Sequence, residues 1–313
     1  MKPLRRLLLA GAAVALAASA QQPGPRDMPQ EMVWVDRSGE VLGRVGAVQN
    51  SMFFPEISPD GRYIAVSARD GEVNDRDIWI HEVATGKKRA LAPAKGNDNF
   101  PLWLHHEAAI VFTSTRGGNY DLYRVALDGA AEPQPVLQTP DSQYPRALSP
   151  DDRLLVLTHA KPAGRKLLLL TLDSGEQREL LPSGAAWADG VRYSPDGRWI
   201  AWSANPEGLW EVFVAPASDP SAAVKVTRDL AQGWAGGGGQ VRWRADGKEL
   251  FYLMGDAVMA MPVVDGEIPK PETAKKLFSA DGFRGNFPDE APWLTQYDVT
   301  ADGQKFVFVR TVR

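Results

Sequence analysis

A short sequence pattern recurs along this chain, and its spacing limits the folds that are possible. Residues 57–67 read ISPDGRYIAVS and residues 193–203 read YSPDGRWIAWS, with further copies at 148–157, 243–252 and 299–308. A degenerate copy, WLHHEAAIVF, lies between the first and third copies. The anchor residues are Asp60, His106, Asp151, Asp196, Asp246 and Asp302, separated by 46, 45, 45, 50 and 56 residues. This spacing matches the roughly 40–50 residues of a four-stranded β-propeller blade.

Each copy has the chemistry of a turn between two strands. Proline fixes one backbone dihedral angle, aspartate accepts local backbone hydrogen bonds, and glycine adopts a positive φ. An apolar strand follows the turn, as in residues 64–67, and a third strand follows about fifteen residues after the anchor, as in residues 77–80. No segment after residue 20 has sustained helical periodicity. The sequence therefore predicts an all-β fold.

The two ends of the chain each carry part of a blade. Residues 33–42 resemble the third and fourth strands of a unit, and residues 299–309 supply inner strands and then the chain stops. An open ring would leave unpaired strand edges. We therefore predict a six-bladed β-propeller that is closed by pairing of the N- and C-terminal strands.

The first 20 residues have the features of a secretory signal. Basic residues precede an apolar run over residues 7–18, and Ala18-Ser19-Ala20 matches an A-x-A cleavage site. The run is shorter than the roughly 20 apolar residues that a transmembrane helix needs. We expect cleavage after Ala20, a short linker over residues 21–30, a propeller over residues 31–313, and a periplasmic or secreted monomer without membrane insertion.

Composition excludes several classes of function. The chain has no cysteine, which rules out disulfides, thiol catalysis and thiolate metal sites. The 35 basic and 39 acidic residues give a formal net charge of -4, so we do not expect nucleic acid as a partner. No Gly-x-Ser-x-Gly motif of a serine hydrolase occurs.

The repeats resemble the WD-repeat-like propellers of the TolB family. Residues 114–123, STRGGNYDLY, carry the most specific part of this resemblance. Residues 33–37 and 297–303 are similar to propellers attached to some bacterial serine/threonine kinases. The resemblance covers roughly residues 31–313 and implies a propeller fold, on which many different functions occur.

The residues that precede the anchor turns are expected to line the central channel, where propellers usually bind their ligands. Three of them are arginines, and acidic side chains face these arginines from adjoining blades; the six are Glu56, Leu102, Arg146, Arg192, Arg242 and Asp298. Two interpretations are open. The arginines bind a carboxylate of a peptide or partner, or the charges form an internal ion-pair network.

Aromatic and histidine residues offer further candidates. Trp234 and Trp293 lie outside the regular strands, so they are candidates for contact with a partner or for packing on the rim. Five other tryptophans are predicted in the interblade core: Trp79, Trp103, Trp199, Trp202 and Trp243. The four histidines are scattered along the chain, which favours turn and surface positions over a metal site.

The leading functional hypothesis is an exported, non-catalytic binding or scaffold protein without a cofactor. It would engage a protein or peptide of the cell envelope at one channel mouth, through Glu56, Arg146, Arg192, Arg242, Asp298, Trp234 and Trp293. The alternative is a metal-assisted lyase or hydrolase that acts on an oligosaccharide in the channel. A structural module of an envelope complex is a third possibility.

Overall fold

The protein has an all-β propeller fold, which we describe from a computed structural model. The structure describes residues 29–70, 75–161, 164–181, 188–206, 210–227, 238–264, 273–283 and 295–312. Within these residues it contains one seven-stranded sheet, four separate four-stranded sheets, and a 3-10 helix at Pro220–Ala222. No helix among the described residues has the length and apolar character needed to span a bilayer.

The strands follow one another along the chain with short connections. The seven-stranded sheet contains β1 (Pro29–Asp36), β2 (Val41–Ile57), β3 (Tyr63–Arg69), β4 (Asp77–Glu82), β5 (Lys88–Leu91), β22 (Tyr297–Val299) and β23 (Lys305–Thr311). The next two sheets contain β6 (Asp98–Trp103), β7 (Ala109–Ser114), β8 (Asp121–Ala126) and β9 (Gln134–Leu137), then β10 (Ser142–Leu148), β11 (Leu154–Lys161), β12 (Gly164–Thr171) and β13 (Gln177–Glu179). The last two contain β14 (Ala188–Tyr193), β15 (Trp199–Ala204), β16 (Glu211–Pro216) and β17 (Val224–Lys225), then β18 (Gly238–Trp243), β19 (Glu249–Met254), β20 (Ala257–Pro262) and β21 (Lys275–Ser279).

The sheets are arranged around a central axis. The innermost strands contact one another in a closed ring, in the order β2, β6, β10, β14, β18, β22 and back to β2. Buried apolar side chains form clusters between neighbouring sheets; one such cluster packs Ile78 and Ile80 against Ile110 and Phe112. Because the apolar faces of adjacent sheets cover each other, stability arises laterally around the ring.

The two ends of the chain pair as the sequence predicts. Strand β1 is antiparallel to β23, with Val33 opposite Phe308 and Trp34 opposite Val307. The sheet order is β22-β23-β1-β2, so the N-terminal segment supplies the third strand and the start of the fourth. Strand β1 begins at Pro29, two residues inside the segment predicted to be a linker. The predicted signal at residues 1–20 lies outside the described residues.

The anchor turns form as their residue types predict. In the first turn, Asp60 accepts hydrogen bonds from the Ser58 hydroxyl at 2.6 Å and from the Arg62 backbone N–H at 3.0 Å. Gly61 has a φ of 71°, a conformation that glycine adopts at little cost. Equivalent hydrogen bonds are made by the anchor aspartates Asp151, Asp196 and Asp302.

His81 is fully buried, so its predicted surface or turn position is wrong. Its Nε2 lies 2.9 Å from Gln49 Oε1, and its Nδ1 accepts a hydrogen bond from the backbone N–H of Ala47 at 3.4 Å. A Cβ at Gly46 would lie 2.2 Å from the ring, so glycine permits this close approach. Burial, followed by the nearby Lys88 charge, lowers the pKa of His81 from 6.5 to about 4.

This buried histidine predicts acid sensitivity. Below pH 6.5 the unfolded chain binds a proton at His81 that the folded protein does not, so stability decreases as pH falls. Relative to His81→Gln, the wild-type protein is expected to lose about 3 kcal/mol between pH 6.5 and pH 4. Urea unfolding of both proteins at several pH values measures this difference. Asp98, whose pKa is raised to about 6 by burial, acts in the opposite direction but cancels in the comparison. A constant difference across this range would contradict the prediction.

Candidate functional site

The innermost strands share an irregularity that aims particular side chains at the axis. In β2, β6, β14 and β18 one extra residue interrupts the pairing with the next strand. Each interruption contains a residue with a positive φ between 55° and 61°; these residues are Phe54, Phe100, Gly190 and Gln240. An extra residue of this kind is a β-bulge, which bends the strand and redirects its side chains.

Strand β10 makes the same bulge differently, and this overturns the predicted position of Arg146. Pro145 occupies the position of the left-handed residues, but proline cannot adopt a positive φ. The register shift in β10 instead falls between Pro145 and Ala147, so that Arg146 is the extra residue. Ala147 rather than Arg146 then lines the axial cavity beside Glu56 and Arg192.

Four of the predicted channel residues form one cluster, which we call the axial charge cluster: Glu56, Arg192, Arg242 and Asp298. The carboxylate oxygen Oε1 of Glu56 accepts hydrogen bonds from Arg192 Nη2 and, at 3.0 Å, from Arg242 Nη2. Arg242 Nε donates to Asp298 Oδ1 at 2.7 Å. Glu56 lies on β2, opposite Arg192 on β14, so these contacts cross the channel.

Backbone groups fix three members of the axial charge cluster. Asp298 Oδ2 accepts a hydrogen bond from the Ile57 N–H at 2.7 Å, and Asp298 Oδ1 accepts one from the Val299 N–H at 2.9 Å. Arg242 Nη1 donates to the carbonyl of Val241 at 3.0 Å. Similarly, Arg192 Nη1 donates to the carbonyls of Arg146 at 2.6 Å and Val191 at 3.0 Å.

The Glu56 side chain is held differently. Its carboxylate accepts hydrogen bonds from the two arginines through Oε1, while its Oε2 accepts none from the described residues. Only the backbone of this residue is fixed, by a 2.8 Å hydrogen bond from Trp103 Nε1 to the Glu56 carbonyl. The side chain is therefore the member of the cluster that the protein secures least.

The electrostatics of the cluster reflect its burial. The side chain of Arg242 is 4% exposed and that of Glu56 is 14% exposed. Burial raises the pKa of Glu56, against the effect of both arginines. Burial lowers the pKa of Arg192, whereas Glu56 and Asp298 outweigh burial at Arg242 and raise its pKa. Two positive and two negative side chains leave the cluster formally neutral.

A cavity of about 730 Å³ opens above the axial charge cluster on the side of the anchor turns, and we call this cavity the funnel. Its walls are mainly apolar and include Trp103, Leu148 and Trp243. Prolines of three anchor turns line its mouth: Pro59, Pro150 and Pro195. The funnel therefore combines an apolar wall with a charged floor, which is typical of a binding site.

The opposite side of the cluster is narrow. A cavity of only about 20 Å³ lies there, lined in part by Phe54, Phe100 and Arg146. The rings of Phe54 and Phe100 are 4.0 Å apart, and the Arg146 guanidinium lies 4.7 Å from the Phe100 ring centroid. Arg146 also pairs with Asp189 at 3.1 Å and is buried. The structure thus separates Arg146 from the other predicted arginines.

The degenerate turn at the funnel mouth is held by an aspartate that sequence reasoning missed. Asp152 occupies the glycine position of its anchor turn and has a φ of 56°, which is unfavourable for a side-chain-bearing residue. Its carboxylate accepts hydrogen bonds from the backbone N–H groups of His105 and His106, and it contacts His105 Nδ1 at 2.7 Å. The replacement of glycine by aspartate in this copy of the turn was the available signal.

The remaining candidates are spread over the molecule. Trp234 and Trp293 lie outside the described residues. The predicted core positions of Trp103, Trp202 and Trp243 are confirmed, since each is less than 10% exposed. Among the described residues, which include all four histidines, no three His, Cys, Asp or Glu side chains are grouped so as to hold a metal ion.

Comparison with known sequences gives partial matches, and no family model matches the chain. The chain is 26% identical over 272 residues to an uncharacterized protein of Agrobacterium fabrum, covering 82% of this chain and 83% of that protein. It is 29% identical over 154 residues to the uncharacterized peptidase YuxL of Bacillus subtilis, covering 48% of this chain. The chain spans only 21%, 6% and 17% of the lengths of YuxL and two further peptidases that it matches.

Comparison with solved structures shows the fold. A protein assigned as TolB from Agrobacterium tumefaciens superimposes with a TM-score of 0.68 and 18% identity, covering 91% of this chain and 99% of that chain. An oligogalacturonate lyase from Vibrio parahaemolyticus superimposes with a TM-score of 0.53 and 13% identity, covering 89% and 77%. The neighbours thus include TolB-like propellers and an enzyme built on the same type of fold.

Proposed function

We propose that this chain is a non-catalytic binding propeller that holds a segment of a protein or peptide partner in the funnel. The observation that carries this proposal is the funnel itself, a cavity of about 730 Å³ with apolar walls above a charged floor. Fixed charges at the floor provide specificity, while the apolar walls provide contact area. Arg146 has no part in this proposal because it lines the narrow side of the channel.

The proposal includes six blades and export from the cytoplasm. Strand β2 pairs with β1 through residues 41–50 and with β3 through residues 50–57. Apolar residues from its two flanks, including Met32 and Ile64, pack against each other in one cluster. These contacts support treating the seven-stranded sheet as two blades that share a long strand. Export rests on the signal-like sequence of residues 1–20, with a periplasmic or secreted monomer as the mature form.

A blocked funnel tests the proposed function. Ala245 is exposed and lines the funnel mouth, so Ala245→Trp is expected to narrow the entrance without disturbing the core. The matched control is Ala130→Trp, since Ala130 is exposed in the turn between β8 and β9. The measurement is enrichment of random peptides, displayed on phage, on the immobilised proteins. We expect the wild-type protein and Ala130→Trp to enrich a common peptide motif, and Ala245→Trp to lose at least about nine-tenths of that binding.

Two results would count against the proposal. One is a lack of peptide enrichment on the wild-type protein, and the other is equal enrichment on Ala245→Trp. The second candidate function, a metal-assisted lyase or hydrolase acting on an oligosaccharide, is supported by the structural similarity to oligogalacturonate lyase. Elemental analysis of the purified protein separates the two functions, because stoichiometric metal would favour the enzyme.

A further inference from the structure

The contacts of the axial charge cluster distinguish its two carboxylates. Asp298 is secured through both oxygens, by Arg242 and by the backbone N–H groups of Ile57 and Val299. Glu56 is secured only through Oε1, and only by the side chains of Arg192 and Arg242. Asp298 therefore belongs to the framework of the protein, whereas the Glu56 carboxylate can leave without breaking a backbone hydrogen bond.

The two arginines would keep their positions if Glu56 left. Backbone carbonyls hold Nη1 of Arg192 and Nη1 of Arg242, and Asp298 holds Nε of Arg242. The remaining Nη2 groups point to the same place, which Glu56 Oε1 now occupies. Two fixed guanidinium groups that converge on one point form a site for a carboxylate.

This convergence point is accessible from the funnel. Glu56, Arg192 and Arg242 all line the funnel, and the side chain of Arg192 is 17% exposed. The opposite side offers only the cavity of about 20 Å³. A ligand that reaches the arginines would therefore enter past the anchor turns.

We infer that Glu56 is a built-in occupant of a carboxylate-binding site, and that a carboxylate of the incoming ligand replaces it on Arg192 and Arg242. This inference rests on the proposed function and specifies its ligand as a peptide segment that ends in, or presents, a free carboxylate. The displaced Glu56 would become more exposed to solvent in the funnel, where its charge is hydrated. Because the built-in carboxylate competes with the ligand, only ligands with additional contacts to the funnel wall bind well to the wild-type protein.

The test uses small carboxylates and two variants of Glu56. Acetate represents a carboxylate side chain, and N-acetylglycine represents a peptide C-terminus. Binding is measured by titration calorimetry and by the rise in melting temperature, with sodium chloride at equal ionic strength as the reference. Glu56→Ala is expected to bind one or both compounds at least about tenfold more tightly than the wild-type protein. Glu56→Gln keeps the shape of the side chain, is closest to the native packing, and is expected to show a smaller gain of the same sign.

A second buried carboxylate supplies the matched control. Glu249 also lies between two arginines, with Arg37 at 2.8 Å and Arg244 at 3.3 Å, but it does not line the funnel. Glu249→Ala should therefore gain no binding of acetate or N-acetylglycine. Adding Arg192→Met to either Glu56 variant should abolish the gain.

The outcomes separate this inference from the proposed function. An equal gain in Glu249→Ala, or no gain in either Glu56 variant, overturns the built-in occupant, and the proposed function then still stands if the wild-type protein enriches peptides through the funnel. A gain that requires Arg192, without peptide enrichment on the wild-type protein, supports the carboxylate site and overturns the peptide ligand. The more strongly bound compound identifies the source of the carboxylate.

Discussion

Replacing Arg242 by methionine is expected to lower the free energy of unfolding by about 3–5 kcal/mol, because the change leaves buried carboxylates without their partner. Arg242 is 3% exposed and pairs with both Glu56 and Asp298. Methionine fills a similar volume, so the loss reflects charge more than packing. Urea unfolding at pH 7 measures the effect through the midpoint, provided that the slope of the transition is unchanged.

The matched control for this prediction lies two residues along the chain. Arg244 pairs with the exposed Asp246 and with Glu249, so Arg244→Met should cost much less than Arg242→Met. Adding Glu56→Gln to Arg242→Met removes one of the uncompensated charges and should recover part of the loss. A single Arg242→Met variant as stable as the wild-type protein would show that the axial charge cluster contributes nothing to the fold.

The second large effect is expected at the junction of the chain ends. Val33 is 1% exposed and lies between Arg44 of β2 and Phe308 of β23. Val33→Pro removes a backbone hydrogen-bond donor from a strand that is paired on both sides, with an expected cost of about 4 kcal/mol or more. Val33→Ala keeps the donor and loses only side-chain packing, with an expected cost of about 2 kcal/mol.

Hydrogen exchange shows whether the cost of Val33→Pro arises at the junction. Amides in residues 29–36 and in residues 305–311 should both lose protection, although the change lies in the first segment alone. Val33→Ala should retain protection in both segments. Persistent protection of residues 305–311 in Val33→Pro would mean that β23 does not depend on β1 for its stability.

The repeat is the reason why so much of the fold could be predicted from the sequence. A turn such as Ser58 to Gly61 is encoded by its own residues, and regular spacing places the strands around it. The pairing of β1 with β23 followed because neither end of the chain carries a complete blade. The number of separate sheets did not follow, because strand β2 runs without interruption through two predicted blades.

The candidate site was harder to predict because its geometry depends on single-residue differences between repeats. Arg146 lies five residues before its anchor, Asp151, whereas Arg192 lies four residues before Asp196. That offset, together with Pro145 at the bulge, is visible in the sequence and indicates that Arg146 points elsewhere. His81 gave no such signal, since its burial depends on Gly46 and Gln49 from a strand far along the sheet.

The junction of the chain ends also has a consequence for the order of folding. Glu31 accepts a hydrogen bond from Arg310 across 279 residues of sequence. During synthesis, β1 has no C-terminal neighbour until almost the whole chain has emerged, so the edge that β23 will cover stays open for the longest time. Contacts of such long sequence separation slow folding and leave an unpaired edge available for aggregation. A cell that produces this protein must protect that edge until the final strand arrives.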